Sequence, residues 1–168
     1  MANTYVAIAT VTVGSGGASS ISFSSIPATY TDLLLKISAR NTATANGLEI
    51  SVAFNGVTTN RSARVLYGTG GAAGSATMTD IPTLGNGAND TANTFANSEV
   101  YIPNYAGSNN KSVSADGVNE NNGTTAYQYL TAGLWSNTSA ITSIQLTPNL
   151  AGNFVQYSTA TLYGIKNS

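Results

Sequence analysis

The stretch "DLLLKISAR", residues 32–40, alternates between two kinds of side chain. Apolar residues occupy every second position, namely Leu33, Leu35, Ile37 and Ala39, and apart from one leucine the positions between them are polar or charged. A period of two residues is typical of a β-strand with one buried face, whereas a helix repeats about every 3.6 residues. The stretch therefore predicts a strand that packs one face against a core.

The same alternation recurs along the chain, and turn residues separate its occurrences. Residues 48–54 repeat the pattern, and the Asn-Gly dipeptide at 55–56 favours a tight turn after them. Further strands are predicted at 4–13, 21–26, 61–68, 98–105, 111–120, 127–136, 141–148 and 154–165. About nine or ten short strands without a helix predict an all-β fold, an antiparallel β-sandwich that is jelly-roll-like.

The chain is predicted to form a single β-sandwich domain over residues 1–168, a length that can bury a sizeable core. Its least regular part is a long irregular loop at about 69–97, which is rich in Gly, Ala, Asn and Thr. Loops of this length are uncommon in compact domains and are often functional or ordered by a partner. We therefore expect the loop to contribute to binding.

The composition is poor in charge. Only 8% of the residues are charged, against roughly 25% in an ordinary soluble protein, while 42% are hydrophobic, which argues against disorder. A net charge of −1 with six scattered basic residues disfavours binding to nucleic acid or to an anionic membrane. No apolar run approaches the roughly 20 residues of a membrane helix. The first residues do not resemble a secretory signal, so we expect synthesis in a cytoplasm.

The chain contains neither histidine nor cysteine, and this decides most of its possible chemistry. The usual general base and the usual zinc and copper ligands are missing, so we expect no enzymatic activity and no cofactor. Oxygen-rich segments at 89–93 and 116–122 are calcium candidates, for which hydrogen-bonded Asx turns are the plainer explanation. A glycosidase-like pair of carboxylates would have to come from the acidic residues Asp32, Glu49, Asp80, Asp90, Glu99, Asp116 and Glu120. These residues are more simply interpreted as solvent-facing charges.

Aromatic side chains offer the remaining candidate site. Tyr127, Tyr129 and Trp135 fall on one face of the strand predicted at 127–136. Aromatic rings on an open strand face can stack on sugar rings, which would give a glycan-binding platform. The alternative is that the three rings fill the core or an interface between subunits, as large aromatic side chains commonly do.

The segment "SFSSIPATYTDLLLKISAR", residues 22–40, resembles a pattern of structural proteins of tailed bacteriophages. Later blocks are similar to the same group, particularly to proteins of aquatic phages: "VYIPNYAGSNNKSVSADGVNENN", "YQYLTAGLWSNTSAITSIQL" and "FVQYSTATLYGIKN". The resemblance covers most of the chain and consists of strand and turn patterns. It implies a small β-sandwich that is part of the virion and is made in the cytoplasm of a bacterial host.

Within that group, the resemblance implies a capsid decoration (cement) protein that binds the outer surface of the major capsid protein and stabilises the shell. Such proteins often form trimers, so a homo-oligomer, namely a trimer, is expected, and many weak contacts on a symmetric shell add up by avidity. The alternative is a tail-associated or head-fibre domain that binds host surface glycan through the aromatic strand. A fibre shaft is not predicted, because the chain has no heptad run and no β-helical repeat.

Overall fold

A computed structural model describes residues 4–166 of the chain. This part is all-β, with twelve strands and no helix. The strands are β1 (Tyr5–Thr12), β2 (Ile21–Phe23), β3 (Asp32–Ala39), β4 (Leu48–Phe54), β5 (Arg61–Gly68), β6 (Ala73–Met78), β7 (Pro82–Gly85), β8 (Ala96–Ile102), β9 (Lys111–Val118), β10 (Gln128–Trp135), β11 (Ile144–Pro148) and β12 (Thr159–Ile165). They form an eight-stranded sheet in the order β1-β12-β3-β8-β9-β10-β5-β6 and a four-stranded sheet in the order β2-β11-β4-β7.

Eight of the strands form a jelly roll, and we call them the jelly-roll frame. β1 pairs with β12, β2 with β11, β3 with β8 and β4 with β7, so the pairs are nested along the chain like the two arms of one long hairpin. Each arm alternates between the two sheets, which rolls the hairpin into a sandwich. The predicted antiparallel, jelly-roll-like β-sandwich is therefore confirmed, with twelve strands instead of nine or ten.

The other four strands enlarge only the larger sheet, and we call them the added strands. β5 and β6 are inserted between β4 and β7, and β9 and β10 are inserted between β8 and β11. Together they continue the large sheet beyond β8 in the order β9, β10, β5, β6. The two edges of this sheet are consequently β1, which belongs to the frame, and β6, which does not.

The core lies between the sheets, and the alternation in the sequence determines its composition. Leu33, Leu35 and Ile37 of β3 belong to the same buried cluster as Ile50 and Val52 of β4. Burial of a side chain of this size contributes about 1.5–3 kcal/mol. The predicted inward faces of β3 and β4 therefore account for a large share of the stability of the frame.

The added strands fold over β7, which is an edge of the small sheet. Oγ1 of Thr131 in β10 donates a hydrogen bond to the Pro82 carbonyl of β7 at 3.0 Å. Arg61 of β5 reaches past β7 to β4, where its Nη1 donates to Ser51 Oγ at 3.0 Å and to the Val52 carbonyl at 2.8 Å. The bond from Thr131 covers part of the β7 edge, which would otherwise be open to pairing with other chains, and the bonds from Arg61 fasten β5 to β4.

Two boundaries predicted from the sequence are wrong. Segment 69–97 is not one irregular loop, because it contains β6 and β7 and the first residues of β8. β6 has no aromatic residue and only one β-branched residue, and β7 begins with proline, so neither carries the usual composition of a strand. The last strand begins at Thr159 instead of residue 154, because the left-handed backbone of Tyr157, with φ of 73°, interrupts the extended chain.

Candidate functional site

A cleft of about 270 Å³ opens where the start of β10 meets the small sheet, and we call it the tyrosine cleft. Glu49 alternates along β4 with the buried Leu48 and Ile50, so its side chain leaves the outer surface of the small sheet. Residues from three parts of the chain line the cleft: Ala45 and Gly47 to Glu49, Tyr127 and Tyr129, and Asn149 and Leu150. The two sheets therefore build the cleft together.

Glu49 is the polar centre of the tyrosine cleft. Its Oε1 accepts a hydrogen bond from the Tyr129 hydroxyl at 3.1 Å, and its Oε2 accepts one from Nδ2 of Asn149 at 2.9 Å. The backbone N–H of Asn149 also donates to the Glu49 carbonyl at 3.0 Å. The two side-chain bonds hold the carboxylate between an aromatic ring and a side-chain amide, and the backbone bond keeps Asn149 next to Glu49.

Three half-buried tyrosines surround the upper part of the cleft. The ring centroid of Tyr129 lies 6.1 Å from that of Tyr67 on the neighbouring strand β5 and 6.4 Å from that of Tyr127. Burial, followed by the negative charge of Glu49, raises the pKa of Tyr129. The Tyr129 hydroxyl therefore stays protonated at neutral pH and keeps its role as a hydrogen-bond donor.

Gly47 allows the chain to approach the ring of Tyr127 closely. Its φ of +53° lies in the left-handed region, and a Cβ at this position would be 2.2 Å from the Tyr127 ring. The Gly47 N–H donates to Oδ2 of the buried Asp90 at 3.1 Å, and the Tyr127 N–H donates to Oδ1 of Asn119. A buried polar network thus holds one wall of the cleft in place.

The two oxygen-rich segments considered for calcium meet next to this wall. Oδ1 of Asp90 accepts a hydrogen bond from Nδ2 of Asn121 at 3.0 Å, and Oδ2 accepts bonds from the backbone N–H groups of Gly47 and Gly87 at 3.1 and 2.7 Å. All these partners are N–H donors, which stabilise a carboxylate anion and occupy the oxygens that a cation would need. The contacts favour a structural role for both segments.

The three candidate aromatic residues lie in different environments. The ring of Trp135 is 0% exposed and packs against Phe54, with ring centroids 5.5 Å apart. Trp135 is therefore part of the core and cannot stack on a ligand, which removes it from the candidate glycan platform. Tyr127 and Tyr129 remain in the tyrosine cleft. The alternation along β10 predicts which face of the strand a residue occupies. It does not predict how far along that face the side chains are buried.

The remaining carboxylates do not converge on the tyrosine cleft. The buried Asp32 accepts hydrogen bonds from the Tyr101 hydroxyl and the backbone N–H of Asn104, both at 2.9 Å. Glu99 forms an ion pair with Lys36 on the outer face of the large sheet. Within residues 4–166, no three acidic side chains lie close enough together to hold a metal ion.

The two edges of the large sheet form a second candidate site. β1 and β6 contain no charged residue and no proline. Edge strands are commonly protected by charges, prolines or bulges, because their free backbone groups pair with other strands. β1 has a bulge between Ala7 and Ala9, whereas β6 pairs with β5 in continuous register. Of the two edges, β6 is therefore the one that lacks all three forms of protection.

Residues 4–166 contain no helix with the length and apolarity that crossing a bilayer requires. The chain was also compared with known proteins. No protein-family model, no curated protein and no solved structure matches it.

Proposed function

We propose that this chain is a non-enzymatic structural protein of a bacteriophage virion, a capsid decoration protein that binds the outer surface of the major capsid protein. The observation that carries the proposal is the uncharged composition of both edges of the large sheet, β1 and β6. The resemblance of several sequence blocks to phage structural proteins supports the same assignment.

An open strand edge is suited to binding a shell. It offers a row of backbone N–H and C=O groups that can add a strand of the capsid protein to the sheet. Each backbone hydrogen bond contributes about 0.5–1.5 kcal/mol, so one short edge gives a weak contact. On a shell with many identical positions, an oligomeric decoration protein adds such contacts by avidity.

The location can be tested by electron microscopy with gold-labelled antibody on virions of the phage that encodes the chain. Label spread over the head is the expected result. Label confined to the tail would replace capsid decoration by a role in adsorption, and the complete absence of label would contradict a virion protein.

Edge variants test the surface itself. Ala7→Lys in β1 and Ala73→Lys in β6 place a charge on an exposed position of each edge, and we expect both to weaken co-sedimentation with undecorated capsids. Thr147→Lys is the matched control, because Thr147 is also exposed but lies on β11, an inner strand of the small sheet. Equal binding by the edge variants and the control would reject the edges as the capsid contact.

The tyrosine cleft favours a second candidate function, the recognition of glycan. The partly open rings of Tyr127 and Tyr129 can stack on a sugar, while Glu49 and Asn149 can exchange hydrogen bonds with its hydroxyl groups. Cation, nucleotide and peptide ligands find less support here, because the lining contains one carboxylate and no basic residue.

A glycan array with the purified protein, followed by calorimetry on any sugar that binds, tests this second function. Tyr127→Ala should then abolish binding, whereas Tyr129→Phe should weaken it moderately, because the phenylalanine keeps the ring and loses only the hydroxyl. Trp135→Phe is a control that should leave affinity unchanged, since Trp135 is buried away from the cleft. No binding to any glycan at high protein concentration would reject the candidate.

A further inference from the structure

A second cleft adjoins the tyrosine cleft at Tyr127, and we call it the side cleft. It measures about 240 Å³ and lies where β5 and β9 end and β10 begins, with Glu120 in its lining. Tyr127 lines both clefts, so the two share this residue as a wall. A ligand that is longer than one sugar unit can therefore contact both clefts across Tyr127.

Each cleft contains one carboxylate and no basic residue. Glu49 lies in the tyrosine cleft and accepts its hydrogen bonds from a hydroxyl and a side-chain amide, which are neutral donors. Glu120 lies in the side cleft, is exposed, and accepts a hydrogen bond from the backbone N–H of Asn122 at 2.8 Å. The one ion pair within residues 4–166 lies elsewhere, on the outer face of the large sheet. Both clefts therefore carry a negative charge that no side chain of the chain balances.

The charge of Glu49 acts directly on the aromatic wall of the tyrosine cleft. Burial and then this negative charge raise the pKa of Tyr129. A carboxylate beside tyrosine rings is suited to an ammonium group, which pairs with the carboxylate and is also attracted to the face of a ring. A metal ion needs several oxygen ligands, and no three acidic side chains gather within residues 4–166. An acidic sugar would be repelled by both glutamates.

We propose that the glycan bound at Tyr127 is an oligomer of amino sugars whose amines are free and protonated. The proposal rests on the glycan-binding function of the tyrosine cleft and names the class of sugar that the cleft takes. One sugar ring stacks on Tyr127 with its ammonium at Glu49, and a neighbouring unit places its ammonium at Glu120. N-acetylation of the amines removes the positive charge and with it the reason for the two carboxylates.

An array that carries each amino glycan in two forms, with free and with N-acetylated amines, tests the class of sugar. Glycans of uronic acids on the same array supply the opposite charge. We expect the free-amine forms to bind, and calorimetry on the purified full chain should show that N-acetylation weakens binding at least tenfold. Added salt should weaken the binding of the free-amine forms, because it screens the attraction between charges.

Variants of the two glutamates test the residues. Glu49→Gln keeps the shape of the side chain and a hydrogen-bond acceptor, and it should weaken free-amine binding about tenfold. Glu120→Gln should weaken it about threefold, because this carboxylate is exposed to solvent. Asp116→Asn is the matched control, since it changes the net charge equally but lines neither cleft. We expect the control to bind like the wild type.

The outcomes separate this proposal from the function on which it rests. Neutral or acidic glycans that bind as tightly as the free amines would overturn the proposal and leave glycan binding in place. Free-amine binding that Glu49→Gln and Glu120→Gln weaken no more than Asp116→Asn does would also overturn it. The absence of binding to every glycan on the array would reject both the proposal and the glycan-binding function.

Discussion

The jelly-roll frame and the added strands differ in what they do with their two faces. In the frame, β3, β4, β8, β11 and β12 contribute most of the fully buried apolar side chains. In the added strands, β5 and β10 bury one face and expose leucines on the other. The frame therefore has the composition of a scaffold, and the added strands have the composition of an interface.

This difference explains how one chain can acquire a binding surface without endangering its fold. The added strands attach to the frame through the β8–β9 ladder and through inward-facing contacts such as those of Arg61, Thr131 and Trp135. Beyond those contacts, their outer face and the edge β6 are free to vary. Binding residues on a stable scaffold are the common arrangement in proteins.

The largest effect is expected in the core of the frame. Phe54→Ala removes a ring that is 0% exposed and packs against Trp135, and it should lower the free energy of unfolding by about 3–5 kcal/mol. Leu130→Ala is the comparison on the outward face of β10, where the side chain is 58% exposed, and it should change that free energy by less than about 0.5 kcal/mol. Urea denaturation gives both values, and similar losses for the two variants would contradict the division into scaffold and interface.

A smaller effect is expected at the attachment of the added strands. Arg61→Met removes hydrogen bonds to Ser51 and to the Val52 carbonyl, with a net loss in unfolding free energy of about 1–3 kcal/mol, at about 0.5–1.5 kcal/mol for each bond. Burial lowers the pKa of Arg61, and this cost of burying the charge offsets part of the loss. Native-state hydrogen exchange should become faster in β5 and β6 and stay unchanged in β3 and β12. Uniformly faster exchange would mean that the two regions unfold as one.

A pH-dependent effect is expected at the tyrosine cleft. The pKa of Tyr129 is raised in the folded chain above its ordinary value of 10.0, mainly by burial and then by Glu49. The stabilisation is therefore complete below pH 10 and is lost as pH rises above it, where the unfolded chain ionises and the folded chain does not. Tyr129→Phe should flatten the fall in unfolding free energy between pH 9 and pH 11. An unchanged slope would show that Tyr129 is not protected in the fold.

The smallest effect is expected on β9, at Asp116. Asp116→Asn removes both the repulsion between Asp116 and Glu99 and the attraction between Asp116 and Lys36, so it should change the free energy of unfolding by less than about 0.5 kcal/mol. Added salt should shrink any difference between the variant and the wild type, because exposed charges are screened. A change above about 1 kcal/mol in urea denaturation would contradict this balance of the two interactions.

The frame could be predicted from the sequence far better than the sites. The alternation in β3 and β4 predicts directly which face of each strand is buried, because every second side chain of a β-strand lies on the same face. β6 and β7 escaped prediction because their stability comes from neighbouring strands and not from β-branched residues of their own. Tertiary context overrides local propensity in such strands.

The tyrosine cleft shows what a single strand cannot reveal. Tyr129 was a candidate from its own strand, but Glu49, its hydrogen-bond partner, lies 80 residues away and carries no local signal. Trp135 shares a face with Tyr129 and still belongs to the core, because the packing over that face is complete at Trp135 and incomplete at Tyr129. The leucines of β10 likewise alternate as core residues would, and only the sheet order places them outside.

The most direct test of the division into scaffold and interface is the unfolding free energy of one variant, Leu66→Ser with Leu130→Ser, measured by urea denaturation. Both leucines are more than half exposed. We expect the variant to unfold with the same free energy as the wild type, to within about 1 kcal/mol. A clearly destabilised variant would contradict the division, because it would mean that the outward face of β5 and β10 contributes to the stability of the fold.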